Sequence, residues 1–309
     1  MIRGVVVLLT LLLATAAGAA TLRERTVAGP VTAVAIAGTD IAYAVEYRPR
    51  CHEIRAWEVG SRADRRVASH CFQDTSTGSG VAGVATTQGR SLWLTYTGGN
   101  FREYSLWTQG GRAKPRKIAF EAAPVDDPAP IVVGRPWEGA LPYAFGRAVV
   151  VLGPNGSRRF TVTAPARVVR VSAHSRGYVA VLETGTVLTI SLDGRPLREH
   201  TFTQAVEDAV LAAPGLIAKT RDGLEIRDGT STRTIALPRG SRFLGYAQGL
   251  LAYGSGRQLR LRTLSGGQDW VHRTLAPRFH AQLARRGLTW ASGRTLGYSA
   301  WVVVSTPPR

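Results

Sequence analysis

Gly177-Tyr178-Val179-Ala180, Gly215-Leu216-Ile217-Ala218, Gly249-Leu250-Leu251-Ala252 and Gly287-Leu288-Thr289-Trp290 are one phrase written four times, at spacings of 38, 34 and 38 residues. Two turn signals keep the same beat. Asn155-Gly156, Asp193-Gly194, Asp228-Gly229 and Gly266-Gly267 recur at 38, 35 and 38 residues. Thr184-Gly185, Asp222-Gly223, Ser255-Gly256 and Ser292-Gly293 recur at 38, 33 and 37. Self-similarity at this period marks one supersecondary unit repeated and stacked. Residues 168–203 give the clearest copy. Val168-Val169-Arg170-Val171 is a first strand, and Gly177 turns the chain into a second over 178–182. Thr184-Gly185 leads to a third over 187–192, and Asp193-Gly194, a pair suited to a tight hairpin, to a fourth over 197–202. Short β-rich runs between evenly placed turn residues are what a four-stranded blade requires.

The units begin near Val31, Val81, Ile131, Arg167, Ala205, Arg242 and Phe279. That is seven blades of roughly 41 residues, the length of a β-propeller blade. The first two are expected to carry longer loops, and residues 121–130 an irregular connection. The count falls to six if 130–162 is not a blade. The ends decide for a ring over a two-sheet sandwich. A fourth-strand phrase recurs as Arg233-Thr234-Ile235-Ala236 and Arg273-Thr274-Leu275-Ala276, and more loosely as Phe160-Thr161-Val162-Thr163. Near the N-terminus stands Arg25-Thr26-Val27-Ala28-Gly29-Pro30, a fourth strand without its first three. The last unit has the complementary defect: 280–284, 288–291 and 296–304, then no fourth strand. The N-terminal strand therefore completes the last blade, which removes edges open to other chains. The expected fold is an all-β seven-bladed propeller, one domain over residues 21–309.

Residues 1–20 read as a signal peptide: Arg3, an apolar run over 5–17, then small residues through Ala20. That run is shorter than the ~20 residues that span a bilayer, and no later stretch is apolar enough. The mature chain is expected to be soluble and extracytoplasmic. The formal charge of +18 is nearly all arginine, with Lys114, Lys117 and Lys219 the only lysines. An exported protein this basic is drawn to anionic polymers of the envelope, whereas export separates it from nucleic acid. The arginines are spread through every unit and are dense only over 48–66 and 112–117.

Cys51-His52 and His70-Cys71 form a mirror pair that suggests zinc. Neighbouring strand residues point to opposite faces, so a hairpin turning near Ser61 sets Cys51 against Cys71 and sends both histidines the other way. Two cysteines in an exported chain then read as one disulfide, pinning an arginine-rich hairpin beside Arg48 and Arg50, the candidate contact residues there. No metal or cofactor is expected. Ala173-His174-Ser175-Arg176-Gly177 imitates a nucleophile elbow, but that motif needs a helix next, and Tyr178-Val179-Ala180-Val181 follows instead. Glu207-Asp208 is the acidic pair nearest a channel mouth, where a propeller hydrolase or lyase would need carboxylates. Trp57, Trp93, Trp107 and Trp290 sit in strand-like runs as packing residues. Trp137, with Arg135 and Tyr143, is a candidate platform for a sugar ring.

The repeat phrasing resembles that of bacterial exported propellers of the TolB/WD40-like type, across the whole mature chain. No Trp-Asp dipeptide closes the units, and no kelch-type phrase occurs. The resemblance implies a fold and a preference for partner binding; it transfers no residue roles. The expected function is a secreted binding or scaffold module of the cell envelope that engages a protein or an anionic polymer, without catalysis of its own. A glycan-binding module built on Trp137 is the alternative, followed by a propeller hydrolase or lyase.

Overall fold

The computed structural model describes residues 22–301 and 304, apart from 74, 76 and 266. The signal-peptide reading of residues 1–20, and Gly266 of the last turn pair, lie outside the described residues. What is described forms seven four-stranded antiparallel sheets, each ordered by sequence from the axis outward except the last. Their inner strands are Val31–Ala37, Ser79–Thr87, Ile131–Val133, Val168–His174, Val206–Ala212, Arg242–Ala247 and His280–Ala284. Consecutive inner strands touch around the circle, and Val31–Ala37 meets both Ser79–Thr87 and His280–Ala284. The molecule is a closed seven-bladed propeller, and residues 130–162 are a blade of their own.

Closure comes as the two incomplete ends require. Leu22–Thr26 runs antiparallel to Thr295–Ala300, with Leu22 opposite Ser299 and Thr26 opposite Thr295. The outer strand of blade seven is thus the first strand of the chain. Asp64, in blade one, fastens it from the side: the carboxylate accepts from Arg25 of the closing strand at 2.8 Å, from Arg55 at 3.2 Å and from Tyr43 at 3.0 Å.

Seven hydrophobic clusters make up the core, and each one draws on two adjacent blades. Between blades six and seven, for example, Leu259, Leu261 and Phe279 pack on Leu288 and Trp290. Apolar strands with both faces covered read as near-continuous hydrophobic runs, and Gly177–Leu182 is buried at every residue.

The recurring glycine has a steric cause. It opens the second strand against the carbonyl of the third: a Cβ on Gly177, Gly215 or Gly287 would stand 2.3, 2.1 or 2.3 Å from the oxygen of Ile190, Arg227 or Ser299. Gly249 differs, sitting in the preceding turn with φ +87°.

Three local expectations are corrected. Blades one and two owe their length to longer strands, such as Arg90–Gly98 and Phe101–Gly110, of 9 and 10 residues. Residues 121–124 extend the strand Arg116–Pro124, so the irregular connection is only 125–130. The last strand ends at Ala300, and Trp301 and Val304 are helical.

Cys51 and Cys71 lie directly opposite on the third and outer strands of blade one and are joined by a disulfide. His52 and His70 pair on the other face, toward blade two, where His70 accepts from the indole N–H of Trp93 at 2.9 Å. The hairpin lies within the sheet and does not project from it. Replacing both cysteines by alanine is expected to remove about 3 kcal/mol in the chain-entropy description, read as a lower denaturant midpoint; an unchanged midpoint would show that the link constrains nothing.

Candidate functional site

Each inner strand runs from a face that carries the blade-to-blade connections and the second-to-third strand turns to a face that carries the other hairpin turns. We call these the connecting face and the hairpin face. Both the axis and the rim are built differently at the two ends.

Blade three closes the axis at the hairpin face. Its inner strand pairs with its own sheet over Ile131–Val133, and the Gly134 N–H still donates to Pro142 of that sheet at 2.9 Å. Residues 134–137 then cross to blade four: the Arg135 N–H donates to Val171 at 3.0 Å and the Ala173 N–H to Arg135 at 2.9 Å. Gly134 permits the crossing, since a Cβ there would meet Val171 Cγ1 at 2.6 Å and the Pro142 oxygen at 2.8 Å. Beyond it, the Trp137 ring stacks on His174 with centroids 3.9 Å apart. Glu138 pairs with Arg285 of blade seven at 2.9 Å, and the Gly139 N–H donates to Thr87 Oγ1 of blade two at 2.8 Å. His174 Nε2 lies 3.0 Å from the carbonyl of Tyr246 in blade six. Blades three and seven are not neighbours, nor are four and six. These contacts span the axis and close that end.

His174 Nδ1 also sits 3.0 Å from Ser175 Oγ. A carbonyl only accepts, so Nε2 bears the proton and Nδ1 accepts from the serine. That is the outline of an activated hydroxyl, yet burial pushes the His174 pKa down to about 4, which makes it a weak base at neutral pH. Trp137 covers the ring, and a strand follows where the elbow motif needs a helix.

From the connecting face the axis is a pit of about 370 Å³, with Arg135, Arg170 and Asp208 among the apolar residues of its wall. Arg135 donates to Asp208 at 2.7 Å and its guanidinium lies 5.1 Å from the Phe243 ring centroid. Glu207 turns the other way, to the buried Lys219 at 3.2 Å. The acidic pair of the sequence is therefore divided, each carboxylate held by its own cation.

The predicted sugar platform is not assembled. Arg135 belongs to the pit wall and Trp137 to the axial plug, while Tyr143 is 9% exposed in the core between blades two and three. Arg48 and Arg50 do lie exposed on the connecting face, at the second-to-third strand turn of blade one. Arg48 lies over the ring of Tyr47 at 5.1 Å, and the Arg50 N–H donates to Glu46 at 3.0 Å.

The arginines have two uses that composition did not reveal. The first is a clamp after the turn glycine. The carbonyls of Arg147, Arg257 and Arg294 accept from the N–H groups of Ala164, Leu275 and Val27 at 2.8, 2.8 and 2.9 Å. Their Nε atoms donate back to the carbonyls of the same three residues at 2.9, 3.1 and 3.2 Å. The second is stacking on aromatic rings, often across a blade boundary: Arg25 on Trp57, Arg227 on Phe202, Arg273 on Trp290 and Arg242 on Phe279.

Over blades six and seven the connecting face is poor in acids, the neighbouring ones being Glu207 and Asp222 of blade five, which line one hollow with Arg239. From Pro238 to Arg309 the sequence holds one acidic residue, Asp269. That carboxylate is taken by Arg260 and Tyr253 beside the hairpin face. Arg239, Arg242, Arg257, Arg278 and Arg294 stand on the connecting face of this stretch, all of them exposed.

No protein-family model matches the chain, and no curated protein matches it in sequence. Solved structures do match in fold. A chain of the mitotic checkpoint complex superposes with a TM-score of 0.58 at 12% identity, over 90% of this chain and 94% of that one. Raptor of Chaetomium thermophilum gives 0.55 at 13%, over 91% of this chain, which spans only 29% of Raptor. Saccharomyces cerevisiae Sqt1 gives 0.51 at 11%, over 93% and 98%. The likeness is to WD40-like propellers and concerns the fold alone.

Two histidines, His174 buried and His272 half-buried, tie this architecture to pH. His272 Nε2 reaches Ser299 Oγ of blade seven at 3.1 Å, and burial pushes its pKa, like that of His174, down to about 4. Both are neutral in the fold, whereas an unfolded histidine titrates near 6.5. Their contribution is complete above about pH 6.5 and is lost as pH falls toward about 4, on the order of 2–3 kcal/mol each. The melting temperature should fall between pH 7 and 4.5, and His272→Gln should flatten part of that fall; an identical slope in the variant would remove His272 from the account.

Proposed function

We propose that the protein is an exported, non-catalytic docking module of the cell envelope that presents its connecting face to an anionic polymer or an acidic protein surface. The observation that carries this reading is the arginine rim of blades six and seven, where five exposed guanidinium side chains share a stretch whose one carboxylate is spent on the opposite face. Such a surface attracts polyanions at long range and holds them by counterion release. Guanidinium groups add bidentate geometry toward carboxylate and phosphate. The WD40-like fold of the neighbours supports partner binding as the mode of action, and residues 1–20 support export. An exported TolB-type lineage is part of the same proposal. The acidic groups at the axis are each paired with a cation, an arrangement more suited to holding shape than to acid–base work.

Purified mature protein should be retained on its own envelope fraction at ~0.05 M salt and released at ~0.5 M, where the Debye length drops to a few ångströms. Retention at both would point to a specific apolar or glycan contact in place of the rim. No retention at either would defeat the docking reading.

A further inference from the structure

We infer that the hollow between blades four and five, on the hairpin face, is a docking site for an acidic peptide segment of a partner protein. The segment sets one carboxylate on Arg198 and an aliphatic side chain beside Leu197 and Leu211. The hollow faces away from the arginine rim and does not depend on it.

Near the axis the two blades are sealed together by Val179, Val187, Val206 and Leu216. Farther out that packing gives way. On blade four Arg198 lies opposite Thr189 in register, and on blade five Arg227 lies between Leu216 and Thr232. All five line one hollow of about 590 Å³. The outer strand of blade four, Pro196–His200, carries a bulge there. Ile190 faces Pro196 and Thr189 faces Arg198, which leaves Leu197 as the extra residue. A bulge re-aims a side chain, and here Leu197, 58% exposed, joins Arg198 on the wall of the hollow. Leu211 of blade five lines the same hollow.

Three arginines line this hollow, and two of them are already held in place. Arg227 donates from Nε to Glu225 at 2.6 Å and lies 3.8 Å from the Phe202 ring centroid. Arg176 donates to the Ala213 carbonyl at 2.9 Å. The third, Arg198, is exposed, and its guanidinium has no hydrogen-bond or ion-pair partner among the described residues. These charges act on one spot: burial, and then Arg198 and Arg227, push the His200 pKa down, so that this ring on the wall stays neutral. Against the three cations stand Asp228 on the wall and Glu225 beside Arg227, which leaves one positive charge in excess. A single carboxylate balances it, and charge-assisted bonds to a guanidinium are the strong kind. The apolar part of the wall decides for a peptide over a glycan. Leu197 and Leu211 give an aliphatic side chain a place to leave water. A sugar ring asks for a flat aromatic face, and the Phe202 ring is already covered by Arg227.

The test is fluorescence anisotropy of a short labelled peptide that alternates leucine and aspartate, titrated with the mature protein. Peptides alternating leucine with asparagine and serine with aspartate are the comparisons, and polygalacturonate is the acidic glycan. The leucine–aspartate peptide should bind, and Arg198→Gln should weaken it about tenfold with an unchanged melting temperature. Leu197→Ser keeps every charge and should weaken it several-fold. Arg112→Gln removes the same charge from the hairpin face of blade two and should change binding less than about twofold. Equal losses from Arg112→Gln and Arg198→Gln would mean diffuse attraction and overturn the site. The serine–aspartate peptide binding as tightly would overturn the apolar contact, and the leucine–asparagine peptide doing so would overturn the carboxylate. Polygalacturonate binding as tightly, with the same loss in Arg198→Gln, would give the hollow to a glycan and overturn the peptide. No binding of the leucine–aspartate peptide would defeat the proposal outright. Retention on the envelope through the rim should be the same in Arg198→Gln as in the wild type, so the two sites succeed or fail separately.

Discussion

Among the described residues, every hydrophobic cluster lies between two blades. Each sheet must bury two faces, and it finds both partners only if the circle is complete. An open arc would leave one apolar face bare at each end, together with the unpaired edge of Thr295–Ala300. The pairing of Leu22–Thr26 with that edge is consequently worth more than its own hydrogen bonds. Asp64 reinforces it by joining Arg25 of the closing strand to Arg55 and Tyr43 of blade one. Val27 contributes twice, to the cluster shared by blades one and seven and to the clamp made by Arg294.

The same architecture accounts for much of the arginine. A blade boundary is a seam between two sheets, lined by aromatic edges and by backbone groups at strand ends. A flat guanidinium on an apolar stem covers the first and donates to the second, which a lysine does less well. Several cations here are thus parts of the frame. The rim of blades six and seven differs in carrying few acids, and its Arg242 and Arg257 are also parts of the frame, the one stacked on Phe279 and the other clamped to Leu275.

Much of this was readable beforehand where a steric rule forces a residue to recur. Glycine at 177, 215 and 287 is imposed by a carbonyl oxygen in the next strand, and so the phrase survives from blade to blade. The Cys51–Cys71 pairing follows from hairpin symmetry and the presence of just two cysteines, and the Arg25 phrase announces the closing strand. The site was less legible. Trp137 resembles a surface platform in the sequence because the crossing of 134–137 belongs to blade three and departs from the repeat. Tyr143 belongs to an ordinary strand, and only its register shows that it faces blade two. The clamps do carry a sequence signal, a Gly-Arg dipeptide at 146–147, 256–257 and 293–294. So does the rim, in the long stretch after Pro238 with a single acid, a signal of missing carboxylates and not of dense arginines.

Because Trp137 and Glu138 seal the axis at one end, the molecule is a cup and not a tube. A linear polymer cannot be threaded through it, and no free chain end is required for capture. Any long ligand must arrive sideways and lie across the lip, so it can be taken at any point along its length and released without unthreading. Several molecules could then decorate one strand side by side, all with the same face toward it and their sealed ends outward.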